Sequence, residues 1–316
     1  MRLPANGSRP KRRLLRFMGW RKTRLPQRCV TRRSSAGVQR HARYAHRVVH
    51  RPLARRGWHV VAASSTGTRH VAQGEGCQDR QRHELLPDGS VIVAVADGAG
   101  SAPRSAEGAQ TAVDAVVLAL VAAVSGTDGG TERDWEGLLC EAFAFAREQV
   151  LALAASEGVS PRAFATTLTC AVVTRRRCVV GQIGDGVVVV RADGALHLLA
   201  APERGEYANE VTFISGSRAL EQLRVRSYNG RVDALAAATD GLLRQMLLFP
   251  QRTPFAPFLE PLFAIAVECR SSRSGSDALE GFLSSEMVRR RTDDDTTLAL
   301  VVRPSAVYRG RRGVRA

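Results

Sequence analysis

The chain has 316 residues, 44% of them hydrophobic, with 46 Lys+Arg against 30 Asp+Glu and a formal net charge of +16. This apolar content can bury a sizeable core, whereas the apolar run Val116–Val124 falls well short of the ~20 residues a membrane-spanning helix needs. Six cysteines, at 29, 77, 140, 170, 178 and 269, form no CxxC pair and no repeated spacing, which argues against a zinc site and a disulfide framework.

The charge is confined to the ends. Residues 1–56 hold 18 Lys+Arg and no Asp or Glu, and residues 303–316 hold five more against none, which leaves 23 basic and 30 acidic residues between them. The expected organisation is therefore a basic N-terminal segment (1–56) without enough apolar residues to offset ordering, a folded domain (57–303) and a basic tail (304–316). A basic arm can serve nucleic acid or an anionic membrane, but a charge block without motif or interleaved aromatics reads first as a solvated tail. The apolar piece Leu14–Trp20 is interrupted by Arg16 and lacks a small-residue cleavage site, so a cytoplasmic protein is expected; a monomer is expected as well.

In chain order, β-branched runs read as strands at Trp58–Ala63, Ser90–Ala96, Leu168–Val173, Cys178–Ile183, Val187–Arg191, Leu196–Leu199, Asp233–Ala238 and Thr297–Val302. Helical spacing marks Ser105–Val124, Trp135–Ala155, Phe255–Val267 and Ser276–Arg290. The turns Gly184-Asp185-Gly186 and Ala192-Asp193-Gly194 predict an antiparallel meander of the three strands they join. Strands in hairpin-linked groups and helices in pairs define an α+β layered domain, with helices over the sheet faces. No GxxxxGK[ST] loop and no GxGxxG after a strand is present, so phosphate, if handled, must be held by metal.

Carboxylates stand where buried strands end. Asp97 closes Ser90–Ala96 and precedes Gly98; Asp240 closes Asp233–Thr239 and precedes Gly241; Asp185 lies between two glycines after another apolar strand. Asp293, Asp294 and Asp295 precede a strand, and in an antiparallel sheet one strand's start lies beside its neighbour's end. All can share one edge. Clustered carboxylates stay ionised only with cations, and an all-oxygen set selects Mg²⁺, Mn²⁺ or Ca²⁺. Single Asp-Gly pairs are commonly plain turns; it is their number at strand ends that points to a hard-metal site.

The ordered motifs Ser65-Thr66-Gly67, Cys77-Gln78-Asp79, Val95-Ala96-Asp97-Gly98, Ala165-Thr166-Thr167-Leu168, Ile183-Gly184-Asp185-Gly186, Ala238-Thr239-Asp240-Gly241 and Asp294-Asp295-Thr296-Thr297 resemble the metal-dependent serine/threonine phosphatases (PPM, type 2C). Gly205–Glu210 and Asp97–Ser101 resemble a bacterial branch of that family. The resemblance implies a four-layer α-β-β-α sandwich, two antiparallel sheets flanked by helices, holding two Mn²⁺ or Mg²⁺ ions at one end. It implies Asp97 as the bridging ligand, Gly98 as a carbonyl ligand, Asp240 and Asp294 as further ligands of the first ion, and Asp185 as the aspartate that holds a third ion in some members. Asp79 matches a carboxylate that orients metal-bound water. The implied reaction is hydrolysis of phosphoserine or phosphothreonine in proteins by water activated between two cations, opposing a kinase, with no phosphoenzyme and no cysteine nucleophile.

Three positions depart from the family pattern. Where an arginine often grips phosphate, His70 stands with Arg69 beside it; Arg104 is a second candidate for the grip, and His70 a candidate general acid. Ala99 follows the Asp-Gly pair where some members have histidine. Gln78 replaces a ligating glutamate, leaving the second ion to Asp97, Gly98 and water. These departures keep open a regulatory module that retains the fold with weak or no catalysis.

Overall fold

The computed structural model describes residues 57–125, 133–202, 211–269 and 271–303. The basic segments 1–56 and 304–316 and the stretch Gly205–Glu210 lie outside the described residues. The first sheet has the order β1-β12-β9-β6-β7, built from β1 (His59–Ser65), β12 (Thr296–Val302), β9 (Val232–Ala238), β6 (Val187–Ala192) and β7 (Ala195–Ala200). The second has the order β2-β3-β4-β5-β8, from β2 (Arg80–Leu85), β3 (Val91–Ala96), β4 (Leu168–Val173), β5 (Arg177–Ile183) and β8 (Arg224–Asn229). Every pairing in both is antiparallel.

The two-residue period of the strands divides their side chains between two cores. Val91, Val93 and Val95 point inward and meet Val60, Val188, Leu235 and Val301 of the other sheet. Ile92, Ala94 and Ala96 point outward and are covered by α2 (Ser105–Ser125) and α3 (Trp135–Ser156), while α5 (Ala256–Glu268) and α6 (Ser272–Leu283) cover the first sheet. Four layers result, as expected. By length and apolarity α2 could cross a membrane, yet its apolar residues Val113, Val116, Val117 and Leu120 are fully buried against β3 and α3.

Short elements complete the chain: α1 (Thr68–Gln73), α4 (Leu243–Met246), the ribbon β10 (Leu247–Leu248) and β11 (Thr253–Pro254), and α7 (Glu286–Arg289). The predicted helix Ser276–Arg290 is broken in two, because Ser284 closes α6 and Ser285 stands at the N-cap of α7.

The expected meander is corrected. The β6–β7 hairpin forms, but β5 and β6 belong to different sheets, so Gly184-Asp185-Gly186 carries the chain across the sandwich. Gly184 adopts φ 106° there, and a Cβ would lie 2.5 Å from the Thr167 side chain. The crossing places Asp185 between the sheets at one end of the sandwich, where a hairpin would have left it on one sheet's rim.

Candidate active site

Three carboxylates converge at that end. Oxygens of Asp97, Asp185 and Asp240 all lie within 4.8 Å of one another, and Asp97 and Asp240 are close enough to share a hydrogen bond. Asp97 leaves β3 of one sheet, Asp240 leaves β9 of the other, and Asp185 sits on the crossing between them. Asp294 precedes β12, whose Leu298 pairs with Ala238 of β9, and its charge acts on all three.

Backbone contacts fix the loop after β3. The Asp97 carbonyl accepts from Thr167 N and Thr166 Oγ1, both at 2.8 Å, and Asp97 N donates to Thr167 Oγ1 at 3.0 Å. Gly98 bridges to Thr166, and a Cβ there would stand 2.9 Å from the Gln78 carbonyl and from Ser105. The Ala165-Thr166-Thr167 motif is thus the backing of the Asp97 turn. Gln78, in turn, accepts from Ser105 Oγ at 2.7 Å and donates to Glu75 at 3.1 Å.

Like charges and burial dominate the electrostatics. Desolvation first, then Asp79, Asp240, Asp185 and Asp294, hold the Asp97 carboxyl well above the ordinary carboxylate range. Asp185 is pushed up to about 6 by burial and by Asp240, and Asp240 is raised by burial and Asp294. Asp79 is pushed up to about 8, mainly by burial and against the hydrogen bond it accepts from Thr239 Oγ1 at 2.7 Å. Its other oxygen, and Asp185 Oδ1, are buried without a hydrogen-bond partner. A half-buried all-carboxylate set with unused oxygens fits hard divalent cations and not thiophilic metals.

A stability consequence follows with a definite sign. These groups fold with raised pKa values, so their contribution is fully present below the unfolded carboxylate range near pH ~4 and is lost as pH rises through about 6 for Asp185 and about 8 for Asp79. Protein stripped of divalent cations is expected to melt at lower temperature at pH 8.5 than at pH 5, with Mn²⁺ removing most of the difference. A melting point independent of pH would contradict this electrostatic account.

Around the cluster the structure places the other expected residues unequally. Arg69 Nη2 pairs with Asp294 at 2.8 Å and also acts on Asp240, and Arg224 acts on Asp185. His70 is buried, with Nδ1 2.9 Å from Asp295 Oδ1 and Nε2 3.9 Å from Glu75. Seen from Gly100, in the loop after Asp97, a Cβ would stand 3.5 Å from Arg69 Nη2 and 3.8 Å from His70 Nε2, so both side chains face that loop. Arg104, by contrast, is committed to Glu107 at 2.5 and 2.6 Å and to Glu157 at 3.2 Å, with its guanidinium over the Phe164 ring. Cys77 is no nucleophile, because burial and the nearby Asp79 and Asp295 push its thiol far up.

Asp295 is the residue that sequence reasoning missed. Its buried carboxylate accepts from Gly67 N at 2.7 Å and Gln78 N at 2.6 Å and touches His70, so one side chain ties the start of α1 and the Gln78 loop to β12. In the run Asp293-Asp294-Asp295 nothing local distinguishes it from its neighbours. Gly67 packs so closely that a Cβ would overlap the Asp293–Asp294 backbone, and one at Gly241 would overlap the Asp295 carbonyl. Gly67→Ala is expected to cost about 1–3 kcal/mol, the usual range for overpacking, and to weaken Mn²⁺ binding. Thermal melts and calorimetric titration of Mn²⁺ check both effects.

A two-sheet sandwich that gathers half-buried aspartates from both sheets at one end has the donor set of a hard-cation site. The family model for protein phosphatase 2C matches residues 66–284. Serine/threonine-protein phosphatase 3 of Escherichia coli (strain K12) is 34% identical over 251 residues, covering 78% of this chain and 98% of that protein. The chain belongs to the protein phosphatase 2C family, whose members use Mn²⁺ or Mg²⁺. Two solved structures share the fold. The catalytic domain of the serine/threonine phosphatase PstP, in complex with two manganese ions, has a TM-score of 0.53 at 16% identity and covers 78% of this chain and 97% of its own. Stp1 from Staphylococcus aureus has a TM-score of 0.54 at 13% identity over 77% and 94%.

Proposed function

We propose that this protein hydrolyses phosphoserine and phosphothreonine in proteins, using two Mn²⁺ or Mg²⁺ ions held by Asp97, Asp240, Asp294 and the Gly98 carbonyl, with Asp185 available to a further ion. The observation that carries this reading is the convergence of three half-buried carboxylates, from the ends of strands in both sheets and from the crossing between them, to within 4.8 Å of one another. When bound, such ions supply an activated water and neutralise the phosphoryl oxygens. The chain's own residues do the rest.

Arg69 pairs with Asp294 beside the cluster and faces the Gly100 loop, so its guanidinium is the group that receives substrate phosphate, a role the ion pairs of Arg104 leave it less free to fill. His70, whose Nδ1 lies 2.9 Å from buried Asp295, presents Nε2 toward the same loop and donates the proton to the departing seryl oxygen. Asp79, raised to about 8, holds a proton or accepts one within the cluster. The domain spans 57–303, and the reading makes it a cytoplasmic monomer opposing a serine/threonine kinase.

The test is Mn²⁺-dependent release of phosphate from a phosphoserine peptide and from p-nitrophenyl phosphate by the full chain. Turnover of both that is lost on chelation is the expected result. Absence of turnover on either substrate at any Mn²⁺ concentration would sink the enzyme reading in favour of a binding module that keeps the fold.

A further inference from the structure

At the pole of the sandwich away from the aspartates, a cavity of about 470 Å³ is lined by Arg133, Trp135, Thr174, Arg176, Arg177 and Asn229. Strand β4 connects the two ends: Thr167, which binds the Asp97 carbonyl, precedes it and Thr174 follows it, so six extended residues separate cavity and cluster by about 20 Å.

The arginines are set in place before any ligand arrives. Arg133 pairs with Asp88 and its guanidinium lies 5.6 Å from the Trp135 ring centroid, and Arg177 pairs with Glu136 at 2.7 Å. Each carboxylate engages a single terminal nitrogen of its guanidinium, Nη1 in Arg133 and Nη2 in Arg177, while Nε of both is buried without a hydrogen-bond partner. Arg176 is exposed on the β4–β5 hairpin, whose turn is fixed by Thr174 N donating to the Arg177 carbonyl at 2.8 Å. The cavity also borders the N-terminus of the 22-residue helix α3, where the dipole favours negative charge. Arg303, just beyond β12, stands over Trp58 and donates to the Thr174 carbonyl at 3.3 Å. Arg231 and Arg175 also act on Arg303, whose pKa is lowered mainly by burial, so further cations stand at this pole beside Asp88, Asp134, Glu136 and Asp233.

We propose that this cavity is a second anion site, separate from the aspartate cluster, that takes a phosphate monoester dianion. Guanidinium forks are donors only and match the oxygens of a phosphoryl group, and three of them at one opening favour a dianion over a single carboxylate. The space exceeds that of a bare phosphate and admits a phosphorylated side chain with its neighbours. A substrate protein carrying a second phosphorylated residue would engage this pole while another is presented to the aspartates.

The test uses the full chain, stripped of divalent cations and in phosphate-free buffer, titrated calorimetrically with inorganic phosphate, a phosphoserine peptide and its unphosphorylated form. Phosphate-dependent binding is expected to persist without cations and to fall at least tenfold in both Arg176→Glu and Arg133→Gln, with melting temperatures and p-nitrophenyl phosphate turnover unchanged in Arg176→Glu. Tighter binding of the phosphopeptide than of inorganic phosphate assigns the site to protein-borne phosphate; equal or weaker binding assigns it to the free ion. No phosphate-dependent binding by the unmodified chain, or binding undiminished in either variant, overturns the proposal.

Discussion

Asparagine at position 97 is expected to lower Mn²⁺-dependent turnover of a phosphoserine peptide by more than about 100-fold, beyond what loss of a metal ligand's supporting partner usually costs. Asn keeps the volume of Asp and leaves the Thr166 and Thr167 contacts to the backbone at 97 intact, so the turn itself survives. What disappears is a carboxyl whose negative charge, once ionised, the rest of the cluster opposes. Because Asp79, Asp185, Asp240 and Asp294 all repel that charge, the cation-free variant is expected to be more stable than the unmodified protein. Each kcal/mol so gained raises the melting point of a domain of this size by ~2–4 °C. Melting in chelator and Mn²⁺ titration read the two effects separately. Full activity, or a variant whose Mn²⁺-induced stabilisation equals that of the unmodified protein, would remove Asp97 from the metal site.

Glutamine at position 70 is the second large expected effect, and it depends on the substrate. A general acid matters when the leaving group is a poor one. His70→Gln should therefore lower kcat on a phosphoserine peptide by about 10²–10⁴-fold while changing turnover of p-nitrophenyl phosphate, whose leaving group needs no proton, only slightly. Loss of a merely structural histidine would lower both together. Asp295→Asn separates orientation from proton transfer. It can still accept from Gly67 N or Gln78 N but no longer offers a carboxylate to His70, so it should show the same substrate dependence in weaker form with Mn²⁺ affinity retained. Equal losses on the two substrates in His70→Gln would end the general-acid assignment.

The metal-site candidates were legible because each obeys a local rule. Asp97 and Asp240 follow runs such as Val91–Ala96 and Val232–Ala238 whose composition already reads as strand, and glycine marks the turn after each. Two strands of the main sheets escaped notice for an equally local reason. Strands β2, Arg-Gln-Arg-His-Glu-Leu, and β8, Arg-Val-Arg-Ser-Tyr-Asn, are the two edges of the second sheet, and their partly exposed polar side chains erase the apolar alternation that identifies a strand. Helix α1, only six residues long, lacks the length for a periodic signal, although it carries Arg69 and His70.

By itself the sequence determined which residue types stand at strand ends, how the apolar period of each strand would bury it, and the motif order shared with the protein phosphatase 2C family. Only the tertiary structure decided that Gly184–Gly186 crosses between the sheets, that Asp295 rather than its neighbours anchors Gly67 and Gln78, and that Arg69 meets Asp294 while Arg104 is occupied by Glu107 and Glu157. The reason is distance along the chain. Turn chemistry and periodicity act over a few residues, whereas the contacts from Gly67 and Arg69 to Asp295 and Asp294 join positions more than 220 residues apart, and only packing the two sheets brings such partners together.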